Sequence, residues 1–174
     1  MRRILAISLI LLFTNILQGT YFQGFEIRGV IPNFYIIVIV SFALLRGSKE
    51  GAIVGFFAGL LQDIYYGTTV GFYALLGVYI GYFSGKLNKS FYRENFFLPL
   101  ILTIVSSFFY DMAIYIFTYL IRGRIQISYY FYNIILPGVV YTGVFSIFIY
   151  QGIYFLNEKL EIREKKYRNF FKWV

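Results

Sequence analysis

Asp63 and Asp111 are the acidic or basic side chains that stand inside the long apolar stretches of this 174-residue chain, tyrosines apart. A carboxylate in such surroundings is expensive, and its presence asks for a reason. Three chemistries are open to it. Two close carboxylates can share one proton and act as an aspartyl dyad. A single one can bind a proton or a cationic ligand. Either can also serve as a structural anchor, accepting hydrogen bonds from Thr, Tyr or a loop N–H. At 1.5 Å per residue, Asp63 falls about 18 Å along its helix and Asp111 about 22 Å along its own. Both then lie at similar depth, near one interface, where the cost of charge falls; this favours the anchor. Tyr115, one turn beyond Asp111, is a local partner.

The dyad needs more than two acids. Tyr110-Asp111 resembles one half of the presenilin-type protease signature, but the other half is Gly-x-Gly-Asp, and Asp63 follows Leu60-Leu61-Gln62. The chain has no cysteine and no histidine. Disulfides, thiolate chemistry, histidine bases and histidine metal sites are thereby excluded. No glycine-rich phosphate loop, metal-ligand cluster or catalytic triad is found. The expectation is a protein that is not an enzyme and holds neither cofactor nor metal.

The elements that must position the aspartates begin with glycine. Gly51, Gly55 and Gly59 repeat every four residues, and Gly77, Gly81 and Gly85 do the same further on. On a helix each set makes a stripe almost without side chain, against which a second helix can pack closely. Asp63 extends the first stripe by one more step. The link Gly67-Thr68-Thr69-Val70-Gly71 suits a tight turn. Two stripes on helices joined by so short a link are expected to pack on each other.

The chain is 59% hydrophobic, 23% aromatic and 14% charged, against about 25% charged for soluble domains. Its apolar residues come in blocks separated by charged patches, the pattern of a polytopic membrane protein. Six spans are predicted: Ile4 to Phe22, uncleaved; Ile31 to Leu45; Gly51 to Tyr66; Val70 to Gly85; Phe96 to Ile121; and one within Tyr129 to Leu156, kinked or begun at Pro137-Gly138. Residues 1–156 form the transmembrane domain and 157–174 a basic cytoplasmic tail. The middle spans are short, about 24 Å of helix against a hydrocarbon core of about 30 Å, and flanking tyrosines and lysines make up the difference. With the N-terminus inside, thirteen Lys and Arg lie inside and three (Arg28, Arg122, Arg124) outside. Both termini are therefore expected in the cytoplasm. The net charge of +8 reads as this bias rather than as a nucleic-acid surface. The tail, with Phe170, Phe171 and Trp173, is suited to the bilayer surface.

One arrangement goes beyond hydropathy: Pro32-Asn33-Phe34, Leu44-Leu45-Arg46-Gly47, then Glu50-Gly51-x3-Gly55-Phe56-x2-Gly59-Leu60-Leu61-x-Asp63, with Gly67 and Gly71 following. It resembles the rod shape-determining protein MreD family, and size, basic tail and six spans fit that family over nearly the whole chain. The resemblance implies a non-enzymatic component of the bacterial cytoplasmic membrane, working in lateral wall synthesis. Its implied partners are MreC above all, then MreB, RodA and a class B penicillin-binding protein. The family is similar in turn to the substrate-binding S components of energy-coupling-factor vitamin transporters, which gives an S-component-like bundle as the expected fold and transport as the alternative function. Gly51, Gly55, Gly59, Asp63 and Gly71 carry over as motif positions, without assigned roles.

Overall fold

The computed structural model describes residues 2–21, 29–66, 70–90, 97–120 and 127–170. Among them it is almost entirely helical, with no strand. Helix α1 (Arg2–Ile16) runs into a π-helical turn, Leu17–Tyr21. Helices α2 (Phe34–Arg46) and α3 (Ser48–Tyr66) are separated by Gly47 alone. Helix α4 (Phe72–Lys86) passes into a short 3-10 turn, Leu87–Ser90. Helix α5 (Phe97–Ile114) ends in a π-helical segment, Tyr115–Leu120. Helix α6 (Ile127–Tyr130), a π-helical turn (Phe131–Ile135) and helix α7 (Leu136–Phe170) follow without a break.

Helix α2 is the pole around which the others stand. Every residue from Phe34 to Leu45 is buried. The cause is in the sequence: FYIIVIVSFALL is apolar on all sides, and such a helix belongs in the interior. One face packs with Leu11 of α1, Val54 and Ala58 of α3, and Tyr150 and Ile153 of α7. The other, through Ile36, Val40 and Leu44, meets Tyr110 of α5, with Tyr73, Leu76 and Ile80 of α4 alongside. Ser41, midway along it, donates to the carbonyl of Ile37 on the same helix. Surrounded by protein, α2 has no bilayer thickness to match, so its length of about 20 Å carries no mismatch penalty.

Successive helices alternate in direction, giving the bundle two ends. At the Asp63 end, Asn15 of α1 donates to the Tyr35 hydroxyl (2.7 Å), Phe34 N–H donates to Gln18 Oε1 (3.2 Å), and Asn33 N–H donates to Thr142 Oγ1 (3.0 Å). At the Arg46 end, Arg46 Nε donates to Asn157 Oδ1, and Asn88 Nδ2 donates to the Leu44 carbonyl. Gly47 makes the reversal between α2 and α3: its φ of +96° is open to glycine, and its N–H donates to the Ala43 carbonyl at 2.8 Å.

Two helical stretches, Phe97–Thr118 and Ile127–Ile162, are long and apolar enough to cross a membrane, while Leu5–Gly19 and Phe34–Arg46 are apolar but shorter. Many large apolar side chains face outward, among them Phe13, Phe57, Phe83, Phe109 and Phe148, as they do when lipid is the solvent. Pro137 is the second residue of α7, at the point where the α-helix begins. It follows a π-helical turn in which Asn133 Nδ2 bonds the Tyr129 carbonyl at 3.0 Å. Such a turn accommodates a proline that lacks an N–H and crowds the carbonyl four residues back. Past Leu156 the helix continues to Phe170, so no break in secondary structure marks the start of the basic tail.

Candidate functional site

Among the described residues helices α3 and α4 make the most intimate contact, and glycine is the reason. A Cβ on Gly55 would stand 2.1 Å from the Gly77 carbonyl oxygen; one on Gly51, 2.6 Å from that of Gly81; one on Gly59, 2.3 Å from that of Tyr73. From the other side, Cβ atoms on Gly77 and Gly81 would fall 2.2 and 2.1 Å from the carbonyl oxygens of Gly55 and Gly51. A Cβ on Gly85 would meet the Ser48 backbone at 2.4 Å. Each step of four forward on α3 is matched by four back on α4, an antiparallel zipper of bare backbone. Gly71, grouped with these glycines from sequence, is not in the seam. A Cβ there would meet nothing, and its φ of +96° makes it the left-handed residue that starts α4.

The zipper ends at Asp63, which is 3% exposed. Its Oδ1 accepts the Tyr73 N–H at 2.9 Å and its Oδ2 the Ala74 N–H at 3.1 Å. These are second and third residues of α4, whose N–H groups have no partner within the helix. Gly71, the residue before the helix, has no side chain to cap them. A carboxylate from α3 takes that role, placing negative charge on the positive end of α4. The donors thus lie beyond the Asp63 to Gly71 turn. Gly67 to Thr69, in the link itself, fall outside the described residues.

Asp111 is differently placed. It is half-buried, one turn after Ser107, and Gly138 of α7 faces it closely enough that a Cβ there would lie 3.7 Å from Asp111 Oδ2. Tyr115, one turn further on, packs its ring against Tyr130 at 4.9 Å. Asp111 lines a cavity of 160 Å3 together with Gln18, Ile31, Asn33, Gln62, Tyr73, Tyr110 and Ile114. Asp63 is not in that lining. Its two oxygens are committed to α4, so the aspartates do not face each other as a proton-sharing pair.

Sequence reasoning passed over the amides and hydroxyls that build this end. Tyr110 OH donates to Gln62 Oε1, tying α5 to α3. Asn33 Oδ1 accepts the Ile36 N–H at 3.3 Å as the N-cap of α2. A signal did exist: Asn15, Gln18, Gln62 and Asp111 lie in the later part of their apolar runs and Asn33 at the start of its own, so runs of alternating direction bring them to one side. Among the described residues no three His, Cys, Asp or Glu side chains converge to hold a metal.

A bundle held by backbone contact and interhelical amides, with apolar residues turned outward, is a helical membrane protein. The family profile of the rod shape-determining protein MreD matches residues 1–160; the chain belongs to the MreD family and is a rod shape-determining membrane protein. No curated protein and no solved structure matches it. The transporter S-component reading, for fold and for function, gains no support.

Proposed function

We propose that this protein is a non-enzymatic scaffold of the bacterial cell-elongation machinery, set in the cytoplasmic membrane with six spans. The observation that carries the reading is the family match over residues 1–160 of the chain. In this reading both termini face the cytoplasm, since thirteen of sixteen basic residues then lie inside. The Asp63 end is the outer end, and residues 157–174 form a basic tail at the inner surface. MreC is the nearest partner, with MreB, RodA and a class B penicillin-binding protein in the same assembly. A scaffold must hold its shape while partners pull on it. A zipper without side chains and a cross-helix cap on α4 suit that task, because neither contact can slide without clash or loss of hydrogen bonds.

Depletion in the native host with imaging tests the role. Rod-shaped cells are expected to widen and round. Cells that keep their width after the protein is gone would contradict it.

A further inference from the structure

The cavity beside Asp111 has a property that shape determination does not explain. It gathers polar side chains from three helices, the N-cap of α2 and the turn after α1: Gln18, Asn33, Gln62, Tyr73, Tyr110 and Asp111. A cavity of 160 Å3 exceeds what one water needs. The two aspartates make the contrast. Asp63 is buried and bonded twice to backbone N–H groups. Asp111 has the Ser107 hydroxyl as its polar neighbour, and among the described residues no basic side chain pairs with it. The Ser107 hydroxyl, on a residue with no exposed surface, has no geometrically sound hydrogen bond of its own. Among the described residues no cation balances Asp111, and a cation that entered beside it would be held more strongly in low dielectric than in water. Asp111 keeps some exposure, so the missing group can reach it.

We propose that this cavity is a binding site for one organic cation, an alkylammonium or alkylguanidinium group, with Asp111 as counter-ion. The amide oxygens of Gln18, Asn33 and Gln62 each accept one hydrogen bond and keep a second lone pair for the cation. Two sources carry that chemistry: a free amine, or the tip of a lysine or arginine side chain presented by a protein segment. The site is independent of the shape role, and its test reads binding rather than cell form.

The test uses the full chain, purified in detergent, with thermal unfolding followed against n-butylguanidinium chloride. Sodium chloride at equal ionic strength and neutral n-butylurea are the controls. The expected result is a saturable rise in melting temperature with the cation alone, lost in Asp111→Asn and kept in Asp63→Asn. Ile114→Phe narrows the cavity without touching the charge, and it is expected to weaken the response. It decides the matter if Asp111→Asn does not fold. N-acetylarginine amide separates the sources: binding tighter than the bare alkyl cation assigns the site to a protein side chain, and weaker binding to a free amine. No saturable shift, an equal shift with either control, or a shift unchanged in the variants that fold would overturn the proposal.

Discussion

Asp63 Oδ1 accepts the backbone N–H of Tyr73 at 2.9 Å, so the last turn of α3 caps the first turn of α4. The same carboxylate holds Ala74 N–H through its other oxygen. The capping residue is ten positions upstream of the N–H it satisfies, and the link between them is glycine-rich. The hairpin is therefore closed twice, by the cap at one end and by the glycine zipper along its length.

Replacement of Asp63 separates hydrogen bonding from charge. Asparagine keeps one good acceptor, so Asp63→Asn is expected to retain part of the stability and much of the function. Asp63→Leu strands two buried N–H groups, at a cost of about 1–3 kcal/mol each. Complementation of a shape-defective deletion strain at matched membrane levels measures both. Equal failure of the two variants would mean that the charge, not the cap, is what matters.

The zipper predicts a sharp dependence on a single methyl. Any Cβ at Gly55 meets the Gly77 carbonyl, which is backbone and cannot turn aside. Gly55→Ala is thus expected to destabilise, by about 1–3 kcal/mol as overpacking does, and Gly55→Leu to cost more and lower accumulation. Gly152, where a Cβ would meet nothing, is the control. Gly152→Ala is expected to be neutral or slightly stabilising, by up to about 1 kcal/mol from helix propensity. Thermal unfolding of the purified proteins ranks them. A Gly55→Ala protein as stable as Gly152→Ala would dismiss the close approach.

At the other end, Asn157 Oδ1 accepts from Arg46 Nε and joins α7 to α2. Asn157 is buried. Asn157→Ala removes an acceptor from a cationic donor, with an expected loss of about 1.5–3 kcal/mol. Glu158→Ala, on the exposed neighbour, is expected to change little. Unfolding midpoints compare the two, and similar values would show that the Arg46 contact does not hold α7.

The absence of native cysteine makes single-cysteine variants clean probes of orientation. Cysteine at Gly67 is expected to react with an impermeant thiol reagent on intact cells, and cysteine at Lys166 to react after lysis alone. Labelling of the Lys166 variant on intact cells would reverse the orientation.

Much of this architecture is legible in the chain, and what is not has physical causes. Four-residue glycine spacing on two helices with a short link is enough to bring α3 and α4 together, because a stripe without side chains has one use in lipid. The place of Asp63 at the end of that stripe is readable too. Its donors are not, since they depend on how the turn lands and on Gly71 leaving α4 uncapped. Gly71 shares the motif of the seam glycines while serving a different need, a positive φ. The central place of α2 had a signature, an apolar surface all round, but hydropathy alone scores such a helix like one facing lipid. The cavity beside Asp111 is assembled from residues up to ninety-odd positions apart, Gln18 to Asp111, and no spacing rule reaches across that distance. The proline in the last span reads as a kink or a start; α7 does begin at Leu136 beside it, and the π-helical turn that joins it to α6 has no signature in the spacing.

A scaffold of cell elongation governs where new wall is made. Cells depleted of the protein and pulsed with a fluorescent D-amino acid are expected to lose incorporation along the lateral wall while keeping it at the septum, and the intact chain restores the lateral signal. Lateral incorporation that continues at the undepleted rate, with the protein absent by immunoblot, would contradict a scaffold of cell elongation.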